Sequence, residues 1–260
     1  MSAIVAPRGF RFLPVPTSIA AMSLWSATLD AFFPPNCPGC GREDETRFCP
    51  DCLRRIPLPA EPLCVACGLT LPSPSPAARC RTCLDHPPAF RRARACAAYA
   101  ADEQDAPLRS VLHRYKYERD LAEAATLSDL LLQRCPLDPS EYDVIVPVPL
   151  HLERLRWRGF NQAQVLALPL ARRTRVRLDP FALERVKSTD PQVRLDAEAR
   201  RRNVRGAFRV THPQAVRGKR VLLFDDVYTS GATADACARA LLDARAGLVD
   251  VLALAHASLP

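Results

Sequence analysis

The sequence predicts an α/β protein in which a parallel sheet carries helices on both faces and a small Cys-rich module precedes the sheet. Two observations predict this. After residue 90, apolar runs of strand length alternate with segments of helical spacing. Before it, eight of the 11 cysteines form four Cys-x-x-Cys pairs. A chain of 260 residues is long enough for one α/β domain and one smaller module.

Composition excludes the fibrous and disordered classes. Apolar residues make up 48% of the chain and charged residues 25%, which is ordinary for a globular protein. The net charge of +8 is unevenly placed, because residues 151–220 hold eighteen Lys or Arg against six Asp or Glu. Such a basic surface is most often a solvated face, but it also suits a polyphosphate or a nucleic acid.

The first thirty residues give no sign of a folded element. Pro14, Pro16 and Asp30 interrupt their apolar-leaning run, which is too short to span a membrane, and no signal peptide is evident. A second methionine stands at position 22. We expect residues 1–30 to be disordered or to reflect a misassigned start, and we expect no transmembrane segment.

The cysteine pairs repeat as a unit, "CPGCG" with "CPDCL" and then "CVACG" with "CRTCL". A Cys-x-x-Cys-Gly knuckle needs a left-handed glycine, here Gly41 and Gly68, and two knuckles complete one tetrahedral site. We therefore predict two structural zinc ions with the ligand sets Cys37, Cys40, Cys49, Cys52 and Cys64, Cys67, Cys80, Cys83. Removing one ligand is expected to leave the second domain folded.

Three alternatives for these cysteines stay open. The pairs could cross between the two sites, the thiols could hold an iron–sulfur cluster, or they could form disulfides, which would require export. Four thiolates leave no open coordination position, so a zinc ion here would be structural rather than catalytic. Cys96, Cys135 and Cys237 stand alone and are expected to be small buried hydrophobes.

The remaining elements follow in order along the chain. Strands are predicted at residues 97–101, 142–148, 221–224 and 249–255. Helices are predicted at residues 107–117, 121–135, 160–171, 196–203 and 233–246. Strands that alternate with helices form parallel sheets with right-handed crossovers, and such sheets bind ligands at the carboxyl ends of their strands.

One segment, "VLLFDDVYTSGAT" at residues 221–233, places chemistry at that edge. The N-terminus of the following helix favours a phosphate, and Gly231 lets the backbone approach it. Asp225 and Asp226 would repel a phosphate, so they suit ribose hydroxyls or a divalent cation. A phosphorylated ribose satisfies both groups. The chain has neither G-x-x-x-x-G-K-[ST] nor G-x-G-x-x-G, which excludes the common nucleotide loops.

This segment resembles the phosphoribosyl-pyrophosphate (PRPP) signature of type I phosphoribosyltransferases. Together with "DVIVPVPLHLERLRWRGFNQA", "DPQVRLDAEARRRNVRGAF" and the cysteine pairs, it makes the chain resemble the ComF family of competence-related proteins over about residues 25–256. The resemblance implies a double zinc ribbon at residues 31–90 and a type I phosphoribosyltransferase-like domain at residues 91–260.

The resemblance also implies roles for individual residues. The carboxylates would bind the ribose hydroxyls, and Mg²⁺ would accompany PRPP. The loop after residue 148 would hold the pyrophosphate near Arg154, Arg156 and Arg158. A mobile loop at residues 187–206 would offer Lys187, Arg194 and Arg200 to Arg202. The expected catalytic residues are Asp225, Asp226 and Lys187, and the expected PRPP-binding residues are Thr229, Ser230, Gly231, Ala232, Thr233, Arg158 and Lys116.

Two functions remain open at this point. One is a phosphoribosyltransferase with an unidentified acceptor. Purine-salvage members carry a carboxylate at the position of Thr229, so a purine acceptor lacks its usual proton-transfer group here. The other is a non-catalytic accessory of DNA uptake that senses PRPP or binds single-stranded DNA through the arginines with Trp157 and Phe160, and docks a competence helicase. Both place the protein in the cytoplasm.

Overall fold

The computed structural model describes residues 36–43, 47–72, 78–100, 106–187 and 197–258. The expectation for residues 1–30 lies outside these ranges. The described strands are β1 (Ala93–Ala100), β2 (Val144–Pro147), β3 (Arg177–Leu178), β4 (Leu183–Arg185), β5 (Phe208–Val210), β6 (Arg220–Tyr228) and β7 (Leu248–Ser258).

Five of these strands form one parallel sheet in the order β1-β7-β6-β2-β3. The strands β4 and β5 form a separate antiparallel pair. The strand that follows β6 in the chain, β7, lies on one side of the β2–β6 pair. The strand that follows β2, β3, lies on the other side of that pair. The boundary between β2 and β6 is therefore where the direction of winding reverses, and a crevice opens there at the carboxyl ends.

The described helices are α1 (Pro50–Arg55), α2 (Arg81–Asp85), α3 (Pro107–His113), α4 (Glu123–Arg134), α5 (Leu152–Arg158), α6 (Gln162–Thr174), α7 (Ala197–Val204), α8 (Pro213–Val216) and α9 (Ala232–Asp243). A π-helical turn at Arg114–Glu118 prolongs α3, and a 3-10 turn covers Pro139–Glu141. No helix of these described ranges is both long and apolar enough to cross a bilayer.

The sheet is covered on both faces, as the sequence predicts. On β6, Leu222 and Phe224 belong to the cluster with α4 and α6, while Val221 and Leu223 belong to the cluster with α9. A strand that is buried on both faces has apolar residues at successive positions. Residues 221–224 therefore show no alternation of apolar and polar residues. The predicted parallel sheet with helices on both faces is confirmed.

The first cysteine group packs into the same core as the sheet. Cys37, Cys49 and Cys52 belong to one cluster of buried residues with Leu127 of α4 and Phe224 of β6. The second cysteine group forms a small cluster of its own. The two halves of the repeat therefore differ in how closely they join the α/β core.

Two predicted element boundaries are wrong in ways that affect the site. The strand predicted at residues 221–224 continues to Tyr228, because β7 keeps pairing with it from Asp225, opposite Ala253, to Tyr228, opposite His256. The residues after β2, predicted as a loop, contain the helix α5. None of the residues of α5 is buried, so the segment lacks the apolar period that identifies a helix in sequence.

Candidate functional site

The adjacent carboxylates Asp225 and Asp226 lie near the C-terminal end of the central strand β6 rather than in a loop. Pairing with β2 ends at Phe224, opposite Pro147, so the backbone of Asp225 and Asp226 is held by β7 on one side only. The side that faces the end of β2 is open for a ligand. The carboxylates are thus fixed at the crevice between β2 and β6.

Burial and the neighbouring ammonium of Lys116 together give the two carboxylates different charges. Burial, followed by repulsion from Asp226, raises the pKa of Asp225 to about 8. Burial alone would also raise the pKa of Asp226, but the ammonium of Lys116 outweighs it and holds that pKa below its ordinary value. Near neutral pH the pair therefore holds one proton, and the negative charge lies on Asp226.

Lys116 reaches the pair from the π-helical turn after α3. Its Nζ lies 2.9 Å from Oδ2 of Asp226. The turn is anchored by the fully buried Tyr115, whose hydroxyl donates a hydrogen bond of 3.1 Å to the carbonyl of Gln162. A π-helical turn rotates the side chains that follow it, and such turns are frequent at functional sites. The structure thus brings Lys116, one of the expected PRPP-binding residues, into contact with Asp226.

The segment after β6 forms a compact turn at the N-terminus of α9. Gly231 is the N-cap residue of α9 with φ of 75°, and it provides no side-chain cap for the first N–H groups of the helix. Those N–H groups and the positive end of the helix dipole favour an anion. The Oγ atom of Ser230 is buried and forms no hydrogen bond with any of the described residues. Buried hydroxyls normally have a partner, so this atom indicates a ligand.

Gly231 has a structural role in addition to the predicted close approach to a ligand. A Cβ atom at this position would overlap the side chain of Tyr228, the last residue of β6. The positive φ adds a cost for any other residue. A substitution at Gly231 would therefore disturb the turn itself and would not isolate ligand binding.

The helix α5 places two of the predicted arginines on one face. Arg154 and Arg158 are one turn apart, whereas Arg156 is exposed on another face. Burial lowers the pKa of Arg158, and the charge of Asp226 opposes that effect. Its Nε is buried and makes no hydrogen bond within the described residues. Arg158 thus lies beside Asp226, and its contact with PRPP stays a prediction.

One basic residue of the site was missed from the sequence. Arg185, at the end of β4, is a bridge partner of His151 and lies over the ring of Phe208 at 5.5 Å. Burial and the neighbouring Arg154 lower its pKa, while Asp225 raises it. Arg185 is only two residues before Lys187, but the segment "FALERVK" contains nothing that would separate a site arginine from a surface one.

The predicted mobile loop is only partly within the described residues. The Nζ of Lys187 donates a hydrogen bond of 3.0 Å to the carbonyl of Arg205, so its catalytic role stays a prediction. Arg194 lies outside the described ranges. Arg201, on α7, lines the same cavity as residues of the Ser230 turn. Arg201 is therefore a basic neighbour of the Ser230 turn, and it belongs to the segment 187–206 in which the sequence predicted basic residues near the site.

The cysteines form the two uncrossed groups. The sulfur atoms within each predicted set lie within 4.8 Å of one another. Cys40 Sγ is 3.7 Å from Cys49 Sγ, and Cys67 Sγ is 3.6 Å from Cys80 Sγ. Zinc with Zn–S bonds of about 2.3 Å in a tetrahedron separates its sulfurs by about 3.8 Å. Both sets therefore fit a structural zinc ion, and all 11 cysteines are free thiols rather than disulfides.

Backbone N–H groups point at the thiolates, as the knuckle geometry requires. The N–H of Cys49 donates to Sγ of Cys37, and the N–H of Cys80 donates to Sγ of Cys64, both at 3.3 Å. Gly41 and Gly68 have positive φ, which confirms the predicted left-handed turns. The matching contacts show that the sequence repeat is a structural repeat.

The prediction that Cys96 and Cys135 stand alone is wrong. Cys96 on β1 and Cys135 after α4 are neighbours, and the Cys96 thiol lowers the pKa of Cys135 to about 7. They are 39 positions apart in the sequence, so only the packing of α4 on the sheet brings them together. Cys237, by contrast, is fully buried among apolar residues of α9, as expected.

Comparison with known proteins agrees with the two parts of the molecule. Residues 28–84 match the family model of the double zinc ribbon domain. The chain is 36% identical over 197 residues to the DNA utilization protein YhgH of Escherichia coli K12, covering 74% of this chain and 83% of that protein. It is 29% identical over 216 residues to competence protein F of Haemophilus influenzae, covering 81% and 90%.

Similarity to solved structures is more distant. Adenine phosphoribosyltransferase from Thermoanaerobacter pseudethanolicus aligns with a TM-score of 0.35 and 16% identity, covering 57% of this chain and 85% of that chain. The glutamine PRPP amidotransferase from B. subtilis aligns with a TM-score of 0.34 and 20% identity, covering 50% and 26%.

The fold and the site define a class of protein. It is an α/β protein with a five-stranded parallel sheet covered by helices, joined to an N-terminal zinc ribbon with two four-cysteine sites. The identity and coverage of its relatives then identify the particular family. The chain belongs to the ComF family of competence and DNA utilization proteins.

Proposed function

We propose that the protein binds PRPP with Mg²⁺ at the carboxyl end of β6 and serves the uptake and use of DNA. One observation carries the proposal. A carboxylate pair that retains one charge lies directly before a helix N-terminus whose buried Ser230 hydroxyl has no hydrogen-bond partner among the described residues. A ligand with hydroxyls at one end and a phosphate at the other satisfies both groups.

Each part of the site has a separate task in this proposal. Asp225 and Asp226 accept hydrogen bonds from the ribose hydroxyls, and the turn at Ser230 holds the 5′-phosphate. Lys116 and Arg158, which lie beside Asp226, face the pyrophosphate and offset its charge. Mg²⁺ prefers oxygen ligands, so the carboxylates and the ligand's own oxygens fit it, and it would neutralise pyrophosphate.

The biological setting is supported by the relatives. They are named for competence and for DNA utilization, and the proposal extends that role to this chain. Thiolate zinc sites without disulfides suit the reducing cytoplasm, which is the proposed location. A DNA-translocating helicase of the competence machinery is the proposed partner, and only family membership supports it.

Ser230→Ala tests the proposed ligand most directly. Because the hydroxyl bonds to no described residue, its removal should leave the melting temperature of the free protein unchanged. It should nevertheless weaken PRPP binding about tenfold or more, since a hydrogen bond to a charged group contributes about 1.5–3 kcal/mol. Calorimetric titration with PRPP and Mg²⁺ measures this, and the ligand should raise the melting temperature of the wild type.

Asp226→Asn should abolish PRPP binding, and Asp243→Asn is the matched control. Asp243 is an exposed carboxylate at the end of α9, so its substitution should leave binding unchanged. PRPP binding that survives in both Ser230→Ala and Asp226→Asn would place the ligand elsewhere and refute the proposal.

A second candidate function, binding of single-stranded DNA, has its own observation. Trp157 and Tyr117 are 52% and 51% exposed and lie at the edge of the site. The guanidinium of Arg119 lies 4.9 Å above the Trp157 ring, and that of Arg158 lies 5.7 Å from the Tyr117 ring. Exposed aromatic rings interleaved with guanidinium groups are typical of platforms that stack bases without sequence preference.

This platform corrects the expected pair of aromatic residues. Phe160 is only partly exposed and packs against Tyr115 at 5.4 Å, so it does not present its face to a ligand. Tyr117 takes its place beside Trp157. Two residues on different elements, α5 and the π-helical turn, thus form one surface that the sequence does not place together.

Trp157→Ala should weaken binding of a labelled oligonucleotide roughly five- to hundredfold, because a stacked base contributes about 1–3 kcal/mol. Phe181→Ala, at an aromatic residue that is 68% exposed on another part of the domain, is the matched control. Fluorescence anisotropy at low salt measures both. Binding should fall steeply with salt, and PRPP with Mg²⁺ should compete because Arg158 serves both ligands. Equal affinity in the two variants would exclude the platform.

A further inference from the structure

The first Cys-x-x-Cys knuckle of the zinc ribbon touches the element that bears Lys116 at two points. Gly39 of the knuckle packs on α3, because a Cβ atom at this position would lie 2.9 Å from Cβ of Pro107, the first residue of that helix. The carbonyl of Pro38 accepts a hydrogen bond of 2.7 Å from Nη2 of Arg114, the first residue of the π-helical turn. The knuckle thus contacts both the start of α3 and the start of the turn that prolongs it.

Arg114 joins the knuckle to the geometry of the turn. Its Nε donates a hydrogen bond of 2.7 Å to Oε1 of Glu123, the first residue of α4, whose side chain is buried. The backbone carbonyl of Arg114 accepts from the N–H of Arg119, and this bond closes the π-helical turn. One residue therefore makes the side-chain contact with the knuckle and the backbone contact of the turn, so a displacement of the knuckle is passed to the turn.

Lys116 lies inside that turn, and its contact with the carboxylates depends on where the turn is held. Its Nζ is 2.9 Å from Oδ2 of Asp226, and the two side chains are only 20% and 13% exposed. A charged hydrogen bond has an N–O distance of about 2.7–2.9 Å, so a displacement of the ammonium by about 1 Å breaks it. The turn has one support on α6, where Tyr115 bonds to the carbonyl of Gln162, and a second on the zinc knuckle. The second support depends on a metal.

We propose that Arg114 is a positioning residue through which zinc in the first site holds Lys116 against Asp226, and that this zinc ion thereby sets the affinity of the carboxylate site for its anionic ligand. The inference rests on the proposed function, in which Lys116 faces the pyrophosphate of PRPP. A four-thiolate site is held together by its metal, so loss of zinc frees the knuckle. The carbonyl of Pro38 is then no longer fixed opposite Arg114, and the turn loses one of its two supports. The zinc ribbon acts on the ligand site without touching the ligand.

The position of Lys116 can be measured without a ligand, because the chain has three lysines, Lys116, Lys187 and Lys219. Acetylation of their amines by a small dose of an N-hydroxysuccinimide ester is followed by mass spectrometry. Lys219 is exposed and is the internal reference. An ammonium that is bonded to a carboxylate and mostly shielded from water reacts slowly, so in the zinc-loaded wild type Lys116 should be acetylated more slowly than Lys219.

Two variants break the link at different points. Cys40→Ser removes zinc from the first site. The double variant Arg114→Met with Glu123→Leu leaves both cysteine sets intact and replaces the ion pair by apolar side chains of similar size, which avoids a buried carboxylate without a partner. In both variants the acetylation of Lys116 relative to Lys219 should rise about tenfold, because loss of a charged hydrogen bond frees the amine.

Arg134→Met is the matched control. Arg134 donates to the carbonyls of Leu53 and Ile56 and so ties the same zinc ribbon to α4, away from the π-helical turn. Its substitution should lower the melting temperature but leave the acetylation of Lys116 slow, which separates positioning from a general loss of stability. In calorimetric titration with PRPP and Mg²⁺, the double variant should bind about tenfold more weakly than the wild type, and Arg134→Met should bind equally well.

The outcomes distinguish this inference from the proposed function. If PRPP binds the wild type, but the double variant keeps the slow acetylation of Lys116 or the affinity of the wild type, the inference is wrong and the proposed function stands. If PRPP does not bind the wild type, the proposed function fails. Acetylation still tests the knuckle in that case: a rate that rises in Cys40→Ser and in the double variant, but not in Arg134→Met, supports its hold on Lys116, and an unchanged rate overturns it.

Discussion

At the scale of single residues, the feature with the clearest consequence is the proton on Asp225. Its pKa is raised to about 8 by burial first and by Asp226 second, against an ordinary value of 3.8. The folded protein thus binds this proton more tightly than the unfolded chain does. The contribution of Asp225 to the free energy of unfolding is therefore greatest at low pH and is lost as the pH rises through about 8.

Asp225→Asn should flatten this pH dependence, because the amide keeps the neutral form at every pH. We expect the variant to match the wild type near pH 6 and to exceed it at pH 9 by about 2–3 kcal/mol. Urea unfolding at several pH values without ligand measures the difference, and Asp243→Asn should follow the wild type throughout. A constant offset between Asp225→Asn and the wild type across that range would show that Asp225 is ionised in the folded protein.

The two four-cysteine sets were the chemistry that the sequence predicted best, because each set lies within a short segment of fixed order. The carboxylate pair and the hydroxyls of the turn could be singled out for the same reason, and their contacts with a ligand stay predictions. Arg185 and Tyr117 could not, because their roles depend on contacts between elements that are distant in sequence. The prediction that Cys96 and Cys135 stand alone was wrong for the same reason, because the packing of α4 on β1 makes these two residues neighbours.

At the scale of elements, the sequence predicted which strands exist better than where they end. The apolar run of β6 stops at Phe224, but hydrogen bonding to β7 continues for four more residues. Pairing between strands is a tertiary property, so an apolar pattern cannot report it. The helix α5 was missed because its Leu152 and Trp157 are exposed, although Gly159, left-handed at φ of 87°, marks its end as a C-terminal cap.

Because β6 extends to Tyr228, the two carboxylates are held on a strand rather than on a loop. If Asp225 and Asp226 lay in a loop, their positions would vary with the loop. On β6 they are fixed by the sheet, and the turn that is proposed to hold the phosphate is reduced to three residues between Tyr228 and Ala232. A site on a rigid element holds its ligand with less loss of conformational entropy than a site on a long loop.

At the scale of the whole molecule, the first zinc site is joined to the element that bears Lys116. Arg114, at the start of the π-helical turn, donates to the carbonyl of Pro38 at 2.7 Å and pairs with Glu123. Arg134 of α4 donates to the carbonyls of Leu53 and Ile56, both at 2.7 Å. The first zinc ribbon is thus tied to the helices that cover the sheet, and the boundary proposed at residues 90 and 91 divides two parts that share one core.

Loss of the first zinc ion should therefore weaken the α/β domain, whereas separable modules would leave it unchanged. We expect Cys40→Ser to remove about one zinc ion per chain and to lower the melting temperature of the sheet by about 5 °C or more, because several kcal/mol of shared packing depend on the site. Trp157 fluorescence in a Trp25→Phe background reports unfolding of the α/β domain. Cys67→Ser is the comparison, since the second site has a cluster of its own and its loss should lower the melting temperature of the sheet less. Equal melting temperatures for Cys40→Ser and the wild type, with the zinc measurably lost, would show that the zinc ribbon and the sheet are independent.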